Sequence, residues 1–186
     1  MLKKRYETER LTLLLSEPAL AARVAAFYRR NQAFYAPTEP VREAEFYTEA
    51  FQRRALAQDL RSAKRLWGLR MWLVPKEDEA ADILGMASLG SIFYGAFCSA
   101  FLSYKLDEGA TGQGYMAEAL QKLIEVAFGP LELHRLEANI LPDNAPSLRV
   151  VEKLGFQNEG LARKYLNIGG VWRDHIHMVL LSEDVA

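Results

Sequence analysis

A mixed, twisted sheet of about seven strands flanked by four helices, an α/β (α+β) fold, is the architecture this sequence predicts. Three observations carry that expectation. Short apolar runs and longer segments with helical spacing follow one another in the order β-α-α-β-β-β-α-β-α-β-β. Three of the strand-like runs are consecutive, at residues 67–74, 83–92 and 97–106, with turns around 75–81 and 94–95 between them. A glycine-rich turn, Asp107-Glu-Gly-Ala-Thr-Gly-Gln-Gly114, then joins the third run to an amphipathic helix. With 186 residues, half of them hydrophobic, the chain is expected to be one domain over residues 1–186.

The first strand is expected at 10–15, where Leu11, Leu13 and Leu15 alternate with other residues. Ser16 is placed to cap the next helix, with Pro18 in its first turn and Leu20, Val24, Phe27 and Tyr28 on its apolar face. Pro37 and Pro40 break that helix into a loop over 31–42. A second helix is predicted over 43–65, with Phe46, Ala50, Ala57 and Leu60 on one side. After the glycine turn, Met116, Leu120, Leu123, Ile124, Ala127 and Phe128 form one face of a third helix. Glu118 and Lys122 are spaced as an outer ion pair, and Gly129-Pro130 ends the helix. Leu136, Ala138 and Ile140 mark a strand at 135–140. Asn144 and Pro146 start a short fourth helix that stops at Leu154-Gly155. Two last strands, 161–168 and 171–181, flank Gly169-Gly170 as a hairpin.

Charge and cysteine content narrow the classes of function. The 23 basic and 24 acidic residues nearly cancel, so no basic field exists to drive direct nucleic-acid binding. One cysteine cannot make an internal disulfide, which fits a reducing, cytoplasmic setting. The N-terminal residues carry positive charge without a following apolar run, and no stretch approaches the ~18 apolar residues of a membrane span. No membrane partner is expected.

The glycine turn is the most informative segment. A strand end, two glycines and a helix start place free N–H groups and the positive end of a helix dipole together, which suits a phosphate. No Lys-Ser/Thr follows, so it is not a P-loop, and Ala117 breaks a dinucleotide fingerprint. Alone, the motif reads equally as a plain strand-to-helix turn.

Further motifs fall in order after it: Asn144-Ala-Pro-Ser147-Leu-Arg-Val-Val-Glu-Lys-Leu-Gly155-Phe156, then Glu159-Gly160. With the glycine loop, this resembles the GNAT (Gcn5-related) N-acetyltransferase superfamily. Thr8-Glu-Arg-Leu-Thr-Leu, Glu39-Pro-Val-Arg42 and Gly170-Val-Trp-Arg-Asp-His175 make it more similar to the RimJ/RimL type, which acetylates N-terminal amines of ribosomal proteins. The resemblance spans residues 8–181. It implies the GNAT fold, acetyl-CoA as co-substrate and no metal. It also implies a pantetheine arm along Ser103, Tyr104, Lys105 and Leu106, and a pyrophosphate on Thr111, Gly112, Gln113, Gly114, Tyr115 and Met116. Two positions depart from the family pattern. Thr111 stands where Gln or Arg often opens the loop. Val151 stands where many relatives carry the Tyr that protonates the departing thiolate.

The resemblance implies acetyl transfer to a protein N-terminus, with a ribosomal protein as one acceptor class and a small amine (polyamine, amino sugar or antibiotic) as the alternative. A third reading is a weakly catalytic CoA-binding or ribosome-associated module, and the chain is expected to be a monomer or homodimer. Glu159 is the candidate base, acting through a water; its other reading is a solvated surface carboxylate. Ser147 is the candidate partner of the leaving sulfur, or a serine favoured at a helix start. Asn144 reads as a cap and as a contact to pantetheine, and a backbone N–H near Tyr104 as the oxyanion donor. Tyr35, Glu39 and Arg42 border the acceptor channel in this reading. Trp172-Arg173-Asp174 either shapes the acceptor end or carries an Arg–Asp pair fixing the hairpin. His175 and His177 share a strand face without a third ligand and are taken as structural, and Cys98 as a core strand residue.

Overall fold

In the computed structural model, which describes residues 2–184, eight strands form one sheet in the order β1-β2-β3-β4-β5-β6-β8-β7. They are β1 (Arg5–Glu7), β2 (Leu11–Leu15), β3 (Leu69–Pro75), β4 (Gly85–Phe93), β5 (Ser99–Leu106), β6 (Arg135–Ile140), β7 (Gln157–Ile168) and β8 (Val171–Leu181). Neighbours are antiparallel except β5 and β6, which are parallel because α4 (Tyr115–Phe128) carries the chain across between them. The mixed α/β sheet is as expected, with one strand more than the periodicity suggested. β1 is three residues long, too short to leave a periodic signal.

Two apolar layers sandwich the sheet. On one face α4 and α5 (Ala145–Lys153) bury Met116, Leu120, Leu123, Ile124 and Val151 against Leu102, Leu136, Ala138, Met178 and Leu180. On the other face α1 (Ala21–Arg30) and α3 (Glu49–Lys64) bury Val24, Phe27 and Leu56 against Trp72, Val74 and Met86. Side chains alternate between faces along β5. Leu102, Tyr104 and Leu106 therefore join the α4 layer, and Ser103 and Lys105 point to the α1 layer. Among the described residues no helix is long and apolar enough to cross a membrane.

Several local expectations give way to long-range contacts. Ser16 does not cap a helix: its hydroxyl donates to Asp59 Oδ2 at 2.8 Å and accepts the Trp72 indole N–H at 3.1 Å. A buried indole needs an acceptor, and that need fixes the serine. The helix expected over 43–65 starts instead at Glu49. Thr48 is extended there (φ −87°, ψ 149°), and its hydroxyl accepts the Phe51 N–H at 3.2 Å. Its buried side is Gln52, Leu56 and Ala63, one step round from the side predicted. A single helical turn, α2 (Gln32–Tyr35), interrupts the loop ahead of it. Cys98 lies in the turn before β5 at φ +41°, outside the strand. Glu118 does not pair with Lys122, which meets Glu125 instead.

Candidate active site

β5 keeps to β6 for only three residue pairs, from Ser99–Arg135 to Phe101–Glu137, and then the two strands part. A cleft of about 780 Å³ occupies the gap. Tyr35 bridges its far end, where its hydroxyl accepts the Leu106 N–H at 2.7 Å and donates to the Leu106 carbonyl. The next N–H, of Asp107, turns the other way to Leu84 O at 2.7 Å. Backbone polar groups alternate sides along a strand, so the Tyr104 N–H and C=O share the edge of Leu106 and face the gap.

On the α4 face, Thr111, Gly112, Gly114 and Met116 line the cleft with Asn144 and Ser147. Gly112 (φ +74°) and Gly114 (φ +80°) are left-handed, a region that side chains penalise. Gly114 caps α4 with no side-chain bond, and helical bonding begins only with the Glu118 N–H to Gly114 O at 3.2 Å. The first-turn N–H groups before it are open to an anion. Two predicted loop residues do not line the cleft. Gln113 donates to Gly109 O at 3.1 Å, and the Tyr115 ring carries the Arg10 guanidinium at 4.5 Å. Thr111 donates its hydroxyl to Glu108 O at 2.8 Å.

Tertiary anchors hold this loop at both ends. At its front, Asp107 accepts from Arg30 Nε (2.6 Å), Asn31 Nδ2 (2.9 Å) and the Gly109 N–H (3.0 Å). Behind it, Glu118 accepts from the Thr8 hydroxyl (2.5 Å), the Arg10 N–H (2.8 Å) and Arg10 Nε (2.7 Å). Arg10 also reaches Gln113 O at 3.0 Å. Burial raises the pKa of each carboxyl, but the bonds from these partners outweigh it, and both end below their ordinary values. A depressed carboxylate stabilises the fold above its unfolded pKa of about 3.9–4.3 and loses that contribution as pH falls through the folded value. The unfolding temperature is therefore expected to drop as pH falls below about 4.3, the unfolded carboxylate range. An Asp107→Asn/Glu118→Gln double variant should show a flatter profile there. Equal slopes in a pH series of melting curves would rule out this anchoring role.

Asn144 caps α5 by accepting the Ser147 N–H at 3.2 Å, and the Ser147 carbonyl accepts the Tyr104 hydroxyl at 3.0 Å. Burial pushes the Tyr104 phenol up to about 12, so it remains an O–H donor at neutral pH. Val151 is fully buried core, with nothing to donate.

On the α1 face the cleft is walled by Phe34, Tyr35, Thr38, Glu39 and Lys105, with Leu166, Ile168 and His175 opposite. The Lys105 ammonium is pressed against Glu39 Oε1 as an ion pair, 5.6 Å from the ring centres of both Tyr28 and Tyr35. That oxygen meets no hydrogen-bond donor at ordinary geometry. Burial lowers the Lys105 pKa, and Glu39 opposes the shift. Arg42 stacks on Phe46 at 4.8 Å, beside a smaller cavity behind this wall.

The structure does not bring Glu159 to the cleft. Its carboxylate takes two bonds from Arg135, at 3.0 and 2.5 Å, on the outer surface of the sheet. The Arg135 hydrogen bond holds its pKa below the ordinary value, which makes it a poorer base. Glu159→Gln is expected to leave kcat/KM within about twofold, since the lost contact is a half-exposed ion pair. A loss beyond about tenfold in steady-state assays would return Glu159 to the chemistry. Arg173 pairs with Asp143 at 3.0 Å, and Asp174 accepts the Lys164 N–H at 2.7 Å, so the expected Arg–Asp pair within the hairpin does not form. Among the described residues no group of three or more His, Cys, Asp or Glu is placed to hold a metal ion.

The family model for the acetyltransferase (GNAT) domain matches residues 10–157. The [ribosomal protein uS5]-alanine N-acetyltransferase of Escherichia coli is 32% identical over 183 residues, which is 98% of this chain and 93% of that one. The crystal structure of ribosomal-protein-S5-alanine acetyltransferase from Vibrio fischeri superimposes with a TM-score of 0.91 at 31% identity, covering 99% of this chain and 100% of that one. RimJ of Mycobacterium smegmatis, solved in complex with CoA-disulfide, shares the fold with a TM-score of 0.89 at 24% identity, over 97% and 88% of the two chains. A cleft that parts two parallel strands, with a glycine loop at one mouth, thus occurs here in a chain that belongs to the GNAT acetyltransferase family.

Proposed function

We propose that the chain transfers the acetyl group of acetyl-CoA directly to the N-terminal α-amine of a protein, with a ribosomal protein as the acceptor. The observation that carries this reading is the two-sided cleft. The α4 face offers open first-turn N–H groups, which suit a phosphate, and a run of free strand edge along β5. The α1 face offers a separate approach to the same gap, walled by Phe34, Tyr35 and Leu166. Similarity to the uS5-alanine acetyltransferase over nearly the whole chain supports the acceptor class.

In this reading, Thr111, Gly112, Gly114 and Met116 carry the pyrophosphate, with Gln113 and Tyr115 holding the loop's shape. Ser103, Tyr104, Lys105, Leu106 and Asn144 border the pantetheine. The Tyr104 N–H in the gap stabilises the oxyanion. The Ser147 hydroxyl protonates the departing sulfur, with the Tyr104 hydroxyl bracing its backbone. Cys98, the one cysteine, lies outside the cleft lining, which favours direct transfer over an acyl-cysteine. An α-amine suits such a site because its pKa of about 7.7–8.0 leaves roughly a tenth of it neutral at pH 7, far more than a lysine with a pKa of about 10.4.

The test is CoA release from acetyl-CoA with alanine-ended ribosomal peptides, the same peptides with blocked N-termini, and spermidine. Turnover is expected only with the free peptides. Turnover on spermidine alone would replace this acceptor class with small amines.

A further inference from the structure

The α1-face wall of the cleft ends in a histidine whose ring geometry suits proton transfer. His175 on β8 is 3% exposed, and its Nδ1 lies 3.0 Å from the Arg173 carbonyl oxygen. A carbonyl only accepts, so Nδ1 carries the ring proton and the lone pair of the neutral ring is on Nε2. The Tyr165 ring braces the imidazole at 6.0 Å and 59°. In register, Asn139 and Ile140 of β6 face His177 and Ile176, so His175 stands just past the end of β6, where the gap from β5 is open. His177 differs: its Nδ1 is 2.7 Å from Asn139 Oδ1 and its Nε2 is 3.0 Å from Glu137 Oε2, so both nitrogens are committed within the sheet. Among the described residues the only carboxylate lining the cleft is Glu39, which holds Lys105.

We propose that His175 is the general base of the transfer, an inference that rests on the acetyl-transfer reading above. The acceptor enters as R–NH3+ and gives one proton to His175 Nε2. The free amine then forms the C–N bond to the thioester carbon, and the C–S bond breaks. The Ser147 hydroxyl gives its proton to the thiolate and is reprotonated by the nitrogen's second proton, so CoA leaves as CoA–SH, and His175 passes its proton to solvent. The charged and titratable groups nearest the ring are Tyr165 on β7 and, two residues to either side on β8, Arg173, which pairs with Asp143, and His177, which pairs with Glu137. Across the cleft stand Tyr35, Glu39 and Lys105, and α5 contributes Arg149 and Lys153.

Initial rates from pH 6 to 9.5 on an alanine-ended peptide and on spermidine, for wild type, His175→Asn and His175→Gln, test this. Asn keeps an N–H donor near the Nδ1 position but has no acceptor at Nε2, and Gln serves as a second probe if the Asn variant folds poorly in melting curves. At pH 7 kcat/KM should fall by about tenfold on the peptide, whose α-amine is roughly a tenth neutral there, and by a larger factor on spermidine, with calorimetric acetyl-CoA affinity unchanged within about twofold. The deficit should shrink toward pH 9.5 as the amine sheds its own proton. A deficit that stays constant with pH, or kcat/KM within about threefold of wild type at pH 7, overturns the proposal. The wild-type control separates the two readings. If only spermidine reacts, the N-terminal acceptor fails, and the same pH-convergent deficit on spermidine still supports His175. A wild type that acetylates neither overturns both.

Discussion

Gly114→Glu is expected to abolish acetyl-CoA binding while leaving the protein folded. Gly114 sits at φ +80°, so any side chain costs about 1 kcal/mol of backbone strain. A Cβ there would meet only Arg10 Nη2, at 3.5 Å, which is ordinary contact. The added carboxylate would lie at the N-terminus of α4, where the helix dipole favours negative charge. Folding is therefore largely preserved, and the anion site is filled from within. Calorimetry should show affinity lowered by at least about 100-fold, equivalent to about 2.7 kcal/mol, with an unfolding temperature within a few degrees of wild type. Retained tight binding would mean that the loop does not hold the pyrophosphate.

Glu39→Gln should cost about 1–3 kcal/mol of stability at pH 7, because it leaves the Lys105 ammonium inside the protein without its carboxylate. The pH dependence identifies the cause. Lys105 is already lowered by burial, and loss of Glu39 removes the group that opposes that shift. A lysine whose folded pKa lies below its unfolded value of about 10.4 has its full penalty below the folded pKa, and the penalty is relieved as pH rises through it. The stability gap between variant and wild type should therefore narrow from pH 7 to pH 10. Denaturant curves showing a gap that is constant over that range would assign the loss to packing instead. The variant should also weaken acceptor KM more than acetyl-CoA affinity, since Glu39 lies on the face opposite the glycine loop.

The glycine loop, Asn144 and the closing hairpin were legible because each is a local device. Positive φ at Gly112 and Gly114 follows from the residue type and the turn, and the Asn144 cap bonds only three residues along the chain. The α4 face was legible because one helix repeats its contacts every three or four residues, and the structure buries Met116, Leu120, Leu123, Ile124 and Ala127 as the pattern required. Expectations failed where a side chain had two possible partners and the nearer one lost. Ser16 had a helix to cap but bonds Asp59 and Trp72. Glu118 had Lys122 four residues away but takes Arg10 and Thr8, more than a hundred residues back. For Glu159, at the motif position for a base, the structure shows a pairing with Arg135 outside the cleft lining.

Periodicity and turn chemistry by themselves determined the element order and the glycine turn, and the resemblance carried by the ordered motifs gave the family and fold, since each depends on neighbours along the chain. Only the tertiary structure decided which titratable groups face the gap. His175 enters the cleft and Glu159 does not, although both lie on adjacent strands of the same hairpin. That choice rests on where β5 and β6 part and on which long-range partner holds each side chain, and strand alternation alone carries neither.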